Sequence, residues 1–137
     1  MKIVSACLAG IDCRYDGTSN LSGKVAELVR NGEAIPVCPE QLGGLTTPRP
    51  PCEIKDGRVI TKDGFDVTSS FTKGAEEGLK IAILAGCDYA ILKARSPSCG
   101  CGMIYDGSFS KKLVPGNGIF TSILIDNSIK VLTEEDL

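Results

Sequence analysis

The sequence predicts an α/β fold, a single three-layer Rossmann-like domain with a mainly parallel sheet. Short apolar runs alternate with helical patterns along the chain, which is typical of strands joined by helical crossovers. The chain has 137 residues, which suffice for one ordinary domain with a core and are too few for two. Three cysteines each follow an apolar run closely. We therefore expect residues 1–137 to form one domain, with a site at the carboxyl ends of its strands.

The first part of the chain contains two predicted strands and one predicted helix. The short apolar run over residues 3–6 predicts a buried first strand at residues 2–6, and a turn-rich loop follows it. Residues 23–30 place valine and leucine at helical spacing, and Asn31-Gly32 is a typical C-terminal stop. Residues 34–37 predict a second short strand.

The segment 38–53 is rich in residues that interrupt regular structure. It holds Pro39, Pro48, Pro50 and Pro51 in addition to Gly43-Gly44. Such a segment continues neither a helix nor a strand easily, so we expect an ordered loop or the wall of a site. Residues 58–61 lie between two Asp-Gly pairs and predict a short hairpin element.

A long amphipathic pattern predicts the second helix. Thr68 or Ser69 can cap its start, and Gly86 is expected to end it. Its predicted apolar face consists of Phe71, Ala75, Leu79, Ala82 and Ile83.

The last third of the chain completes the alternation of strands and helices. Residues 89–93 predict a strand, and residues 96–102 form a loop rich in serine, cysteine and glycine. Residues 118–125 favour a last helix, although several of them are β-branched, and residues 129–132 predict a final strand.

Composition excludes several classes of partner. Aromatic residues make up 5% of the chain and the net charge is −2, which argues against a nucleic-acid partner. No apolar stretch approaches the roughly 18 residues that a membrane-spanning helix needs. The apolar run before Cys7 is also much shorter than the about 7–15 apolar residues of a signal peptide. We therefore expect a cytoplasmic protein, and the sequence leaves its oligomeric state open.

The chain has seven cysteines and no histidine. In a reducing compartment these cysteines are not expected to form a disulfide framework. Cys7, Cys38 and Cys99 come just past predicted strands, so the carboxyl edge of a parallel sheet would bring them together. Soft sulfur ligands favour zinc or an iron–sulfur cluster, and three ligands leave a position open for chemistry. The secondary candidates are Cys13, Cys52 and Cys101, whereas Cys87 fits a small buried hydrophobe.

Polar residues near the same predicted edge are candidates for catalysis and substrate binding. Glu40 follows Cys38 closely and can act as general acid or base where no histidine is available. Ser96 and Ser98 can position a substrate or relay a proton, although serine is also common in turns. The cationic candidates, which can hold an anion or lower a thiol pKa, are Arg14, Lys93 and Arg95. Taken alone, each of them is typical of an exposed surface residue. Their common position at one edge of the predicted sheet favours a functional site there.

Five motifs in this order resemble one bacterial family. They are Ser5-Ala6-Cys7-Leu8-Ala9-Gly10, Arg14-Tyr15-Asp16-Gly17, Cys38-Pro39-Glu40 with Gly43-Gly44-Leu45 and Pro48-Arg49, Leu92 to Gly100, and Ile104-Tyr105-Asp106-Gly107. The family is that of the TudS-like thiouracil desulfidases, formerly filed as a domain of unknown function. The resemblance extends from Met1 to about Leu132.

This resemblance implies a cofactor, a reaction and a set of site residues. It implies a 4Fe–4S cluster with one open iron that binds the sulfur of a thiolated nucleobase such as thiouracil. The implied ligands are Cys7, Cys38 and Cys99, the implied acid/base group is Glu40, and the assisting hydroxyl is that of Ser96 or Ser98. The expected products are the oxo base and sulfide. The partner would then be a small molecule.

Two other classes of function stay open from the residues alone. The cysteines can form a closed structural zinc or cluster site, in which Cys13 or Cys101 supplies a fourth ligand. Alternatively, the protein is a metal-free thiol that carries persulfide sulfur, for which one cysteine suffices.

Overall fold

The computed structural model describes residues 1–137, with eight strands, four α-helices and two short 3-10 turns. The strands are β1 (Lys2–Ser5), β2 (Ala34–Val37), β3 (Cys52–Lys55), β4 (Arg58–Thr61), β5 (Tyr89–Leu92), β6 (Met103–Tyr105), β7 (Leu113–Pro115) and β8 (Lys130–Thr133). The helices are α1 (Gly23–Arg30), α2 (Pro39–Leu42), α3 (Thr68–Leu84) and α4 (Ile119–Asp126). The 3-10 turns are Ala6–Ala9 and Glu134–Asp136.

A four-stranded parallel sheet in the order β2-β1-β5-β8 forms the centre of the fold. Ile3 on β1 lies opposite Ile35 on β2 and opposite Ala90 on β5. The chain leaves β1 toward β2 and later returns to the other side of β1 as β5. Connections therefore diverge from the carboxyl ends of β1 and β5, which is where ligands bind in open α/β sheets.

Helices cover both faces of this sheet. On one face, Ile3 and Leu92 pack in a cluster with Phe120 and Leu124 of α4 and with buried residues of α3. On the other face, Val4 and Ile91 pack with Val25 of α1. Successive strand residues point to opposite faces, so these short apolar strands are buried on both sides. The predicted α/β architecture with a parallel sheet is confirmed.

The segment 38–53 contains more regular structure than the sequence analysis predicts. Residues Pro39–Leu42 form α2, and β3 begins at Cys52. Proline is favourable in the first turn of a helix, because its missing N–H has no partner to lose there. The prediction of a loop over the whole segment is therefore wrong at both of its ends.

Two details of the predicted second helix are also wrong. Neither Thr68 nor Ser69 caps it, because Val67 is the capping residue and α3 already includes Thr68. The Thr68 hydroxyl instead accepts a hydrogen bond of 2.8 Å from the backbone N–H of Val59 on β4. Ile83 is 63% exposed and does not belong to the buried face.

Two antiparallel hairpins lie outside the central sheet. The predicted element 58–61 is β4, which pairs with β3. The pairing of β6 with β7 was not predicted, because each strand has only three residues and shows no clear alternation. No helix of the protein combines the length and apolar character that crossing a membrane requires.

Candidate metal centre

A cavity of about 460 Å³ opens at the carboxyl ends of β1, β2 and β5. Its volume lies within the range of about 300–1,000 Å³ that small-molecule sites have. It is lined by all of the site residues predicted from the sequence, which are Cys7, Arg14, Cys38, Glu40, Lys93, Arg95, Ser96, Ser98 and Cys99. Residues far apart in the chain therefore meet because the parallel strands end at one edge.

Cys7 lies in the 3-10 turn that directly follows β1. The turn is tied to the end of the following loop, where the Asn20 N–H donates to the Cys7 carbonyl at 2.9 Å. Burial raises the pKa of the Cys7 thiol, and a hydrogen bond from the Asn20 side chain opposes this rise. Cys7 is partly exposed to the cavity.

The Cys38 arm, residues 38–51, begins where β2 ends. Cys38 is the N-terminal capping residue of α2, so its thiol lies beside backbone N–H groups that have no partner within the helix. The pKa of Cys38 is lowered to about 7, above all by a hydrogen bond from the Cys13 thiol. The backbone N–H of Gln41 and the Arg49 charge act in the same direction. This cysteine is the most readily ionised thiol of the cavity.

Close packing of α2 against α3 fixes the position of the Cys38 arm. A Cβ atom on Gly74 of α3 would overlap the Pro39 carbonyl, and one on Gly43 would overlap the Ser70 carbonyl. Only glycine at these two positions lets the helices approach so closely. The start of α2, which carries Cys38 and Glu40, therefore rests on the longest helix of the protein.

The Cys99 arm, residues 93–99, follows β5 and packs against the start of α4. The N–H groups of Ile119 and Phe120 donate to the carbonyls of Pro97 and Ser98 at 2.9 and 2.8 Å. Gly118 permits this contact, because a Cβ atom there would overlap the Ser98 carbonyl group. Cys99 is buried, and burial raises the pKa of its thiol to about 12.

A chain of hydrogen bonds joins the two arms across the cavity. The Ser98 hydroxyl lies 2.9 Å from Glu40 Oε2, 3.0 Å from Ser96 Oγ and 3.6 Å from Cys99 Sγ. Ser96 Oγ also accepts from the backbone N–H groups of Ser98 and Cys99, at 3.2 and 3.1 Å. The Glu40 carboxylate therefore connects through one hydroxyl to both Ser96 and the Cys99 sulfur.

Arg49 holds the other oxygen of Glu40. Its Nε lies 3.0 Å from Glu40 Oε1, and the two side chains are only 5% and 15% exposed. Its terminal nitrogens donate to the carbonyls of Thr46 and Cys13 and to the Thr47 hydroxyl. A planar guanidinium can make these bonds together, whereas a lysine cannot.

The pairing of Arg49 with Glu40 was not predicted from the sequence. The position of Arg49 between Pro48 and Pro50 and its place in the family-like motif were the available signals. Nothing in the sequence shows that its charge is buried against Glu40. That contact depends on the fold of residues 38–51.

The three predicted cationic residues all lie beside carboxylates. Lys93 Nζ is 2.9 Å from Glu134 Oε2, and Arg95 makes two hydrogen bonds to Glu135. Arg14 lies 4.0 Å from Asp16 Oδ2 and is one-third exposed. Their charges are therefore partly neutralised within the protein.

The remaining cysteines fall into two groups. Cys13 and Cys52 line the cavity, whereas Cys87 and Cys101 do not. The Cys101 thiol instead faces the Val131 carbonyl at 3.9 Å. Cys87 is buried within the core, as the sequence analysis expects.

The sulfur donors of the cavity fit an iron–sulfur cluster. Cys7, Cys38 and Cys99 reach it from three separate strand ends, and the protein has no histidine that could compete as a ligand. No three Cys, Asp or Glu side chains are arranged to share a single metal ion. Cysteine side chains spread around one cavity would suit a cofactor of several metal atoms better than a single ion.

Comparisons with known proteins agree with these features. The model of the 2-thiouracil desulfurase family matches residues 3–136. A solved structure described as a 4Fe–4S-dependent thiouracil desulfidase, TudS, is similar with a TM-score of 0.94. It is 44% identical to this chain, and the match covers 98% of this chain and 91% of the other.

A curated protein of Bacillus subtilis (strain 168), described as "Uncharacterized protein YbbK", is also similar. It is 40% identical over 147 aligned residues, which cover 100% of this chain and 97% of the relative. The family resemblance seen in the sequence is confirmed. With the matching family model covering nearly its whole length, the chain belongs to the 2-thiouracil desulfurase family.

Proposed function

We propose that the protein is a 4Fe–4S-dependent desulfidase, which converts a thiolated nucleobase such as thiouracil to the oxo base and sulfide. The observation that carries this proposal is the meeting of three cysteines with a carboxylate–hydroxyl pair in one cavity. The similar solved structure is described as an enzyme of this kind, and 44% identity over nearly the whole chain supports the same activity here.

Cys7, Cys38 and Cys99 would hold the cluster. Three cysteine ligands would leave one iron open, and when bound the cluster supplies a Lewis acid for the thiocarbonyl sulfur. Ser98 and Cys99 are buried, and electrostatic interactions beside them are stronger than in bulk water. Cys13 also lines the cavity, and a hydrogen bond from its thiol favours the ionised form of Cys38 that a ligand requires.

Glu40 would move the protons of the reaction. Its Oε2 lies at the cavity and accepts from Ser98, so the ionised carboxylate can accept a proton from the attacking water. The oxygen of that water replaces the sulfur at the ring carbon, and the sulfur leaves as sulfide. The exchange of water for hydrogen sulfide is balanced and requires no oxidant or reductant.

Ser96 and Ser98 would position groups around the reacting carbon. Ser98 can exchange its single proton between Glu40 and Ser96, which are both within hydrogen-bond distance. A hydroxyl donated to a ring heteroatom would stabilise the charge that develops during attack. Arg49 keeps Glu40 in the orientation that presents Oε2 to Ser98.

Arg14, Lys93 and Arg95 would contact the substrate at the cavity wall. Their carboxylate partners partly neutralise them, so we assign them to orienting polar groups rather than to binding a strongly charged ligand. A small thiolated base, with no nucleic acid and no membrane partner, fits the cavity volume of about 460 Å³. A reducing cytoplasm would preserve the cluster and the free thiols.

The test is turnover by protein that has been purified and reconstituted without oxygen. We expect 2-thiouracil to yield uracil and sulfide in equal amounts, and removal of the cluster to abolish both products. Bound zinc and no turnover would instead support a structural metal site. A metal-free protein that accumulates persulfide would support a sulfur carrier.

A further inference from the structure

Aromatic side chains are concentrated at the cavity. The protein has three tyrosines, four phenylalanines and no tryptophan. Phe71 and Phe120 are fully buried in the core, whereas Tyr15, Tyr105 and Phe109 line the cavity. A chain so poor in aromatic residues therefore places three of them where a planar ligand would bind.

Phe109 reaches the cavity from a strained loop. It lies between β6 and β7 with a φ of 56°, and Lys111 in the same loop has a φ of 63°. A bulky residue rarely adopts this left-handed conformation, because its Cβ crowds the backbone. Such a conformation persists only where the surroundings impose it, and it is found preferentially at functional sites.

Glu53 on β3 holds this loop through its carboxylate. Its Oε1 accepts hydrogen bonds from the N–H groups of Gly107 at 3.0 Å and of Phe109 at 3.1 Å. Glu53 also lines the cavity, so the carboxylate holds the loop from the inner side. The phenyl ring is half-buried and is not part of either core cluster.

We propose that Phe109 is the stacking surface for the planar ring of the thiolated base, presented to the cavity by the loop that Glu53 holds. This inference rests on the proposed function and identifies the residue that recognises the ring rather than its sulfur. Aromatic stacking suits the task, because a phenyl ring offers a flat apolar surface and makes no demand on hydrogen-bonding pattern.

Steady-state kinetics of the cluster-loaded enzyme with 2-thiouracil test the proposal. F109A removes a contact that substrate and transition state share, so we expect KM to rise about 5- to 100-fold with kcat changed less than about twofold. F109Y keeps a ring and should retain a KM within about twofold of the original. Phe65, which is 69% exposed and lies outside the cavity, supplies the matched control F65A with unchanged kinetics.

A second readout does not depend on turnover. Because the protein has no tryptophan, F109W introduces a single tryptophan at the proposed contact, and its emission can be excited separately from that of the three tyrosines. Titration of cluster-free F109W with 2-thiouracil, and of loaded F109W with uracil, should change its emission in a saturable manner. The variant F65W should show no such change.

Two results would overturn the proposal. One is a KM for F109A within about twofold of the original enzyme. The other is an F109L variant that binds as well as F109Y, since it would show that apolar packing suffices and stacking is not used. Should F109A fail to fold, the comparison of F109L with F109Y decides the question. Failure of the proposed function has a different signature, because the unmodified protein itself would then lack turnover.

Discussion

The Cys38 arm and the Cys99 arm place a cysteine in the same cavity by opposite means. Cys38 caps a helix, faces hydrogen-bond donors and has a thiol pKa lowered to about 7. Cys99 is 4% exposed, and burial raises its thiol pKa to about 12. If both cysteines bind the proposed cluster, the protein itself favours the ionised form of Cys38, whereas Cys99 would lose its proton only on metal binding.

The arms also differ in how they are held. The start of α4 holds the Cys99 arm through backbone hydrogen bonds, whereas the Cys38 arm depends on one buried arginine and on glycine contacts with α3. The bond between Ser98 and Glu40 is the direct link between them. Catalysis should therefore be most sensitive at Glu40, and folding of the Cys38 arm at Arg49.

We expect the largest effect, on kcat, when the acid/base carboxylate of Glu40 is removed. E40Q keeps the shape of the side chain, so the cluster should bind normally while kcat falls about 100- to 10,000-fold. Iron content and 2-thiouracil turnover of the same sample separate the two effects. E77Q, at a partly exposed carboxylate on α3 and outside the cavity, is the matched control. Normal turnover by E40Q would refute the assignment of Glu40.

The next effect concerns the stability of the Cys38 arm. R49M leaves the Glu40 carboxylate without its buried partner, which should lower the free energy of unfolding by about 3–5 kcal/mol. R30M breaks an exposed ion pair with Glu27 and should cost less than about 1 kcal/mol. Urea denaturation of the cluster-free proteins measures both changes. Equal losses in the two variants would contradict the importance assigned to Arg49.

The smallest expected effect is a difference in alkylation rate between the thiols of Cys38 and Cys99. The thiolate is the reactive form, and its fraction rises as the pH increases through the pKa. In reduced, cluster-free protein, alkylation of Cys38 by iodoacetamide should reach half of its maximal rate near pH 7, in line with its pKa of about 7. Cys99, whose thiol pKa is about 12, should remain nearly unmodified at that pH. Peptide mass spectrometry distinguishes the two sites. Faster alkylation of Cys99 than of Cys38 would contradict the lower pKa assigned to Cys38.

Local sequence was sufficient to predict the strands whose ends form the site. The apolar runs before Cys7 and Cys38 predicted parallel strands, and strand ends of one sheet meet by geometry alone. Two contacts were not predictable from local sequence. One is the ion pair of Arg49 with Glu40, and the other is the hydrogen bond from the Phe109 N–H to Glu53. Both depend on contacts between segments whose relative position only the folded chain defines.

Short elements were missed for a related reason. A proline-rich segment suggested a loop, yet Pro39 is compatible with the first turn of a helix and α2 forms against α3. The strands β6 and β7 are too short to show a pattern, and they are defined by pairing with each other. Tertiary contacts therefore decide these elements more than local preference does.

The central claim is that Cys7, Cys38 and Cys99 hold a 4Fe–4S cluster. It is tested most directly by measuring the iron and acid-labile sulfide content of anaerobically reconstituted protein and its cysteine variants. We expect about four irons and four sulfides per chain in the unmodified protein, as for a 4Fe–4S centre. C7A, C38A and C99A should each lose them, whereas C87A, whose cysteine lies outside the cavity, should keep them. A full cluster in any of the first three variants, or its loss in C87A, would contradict the assignment of the ligands.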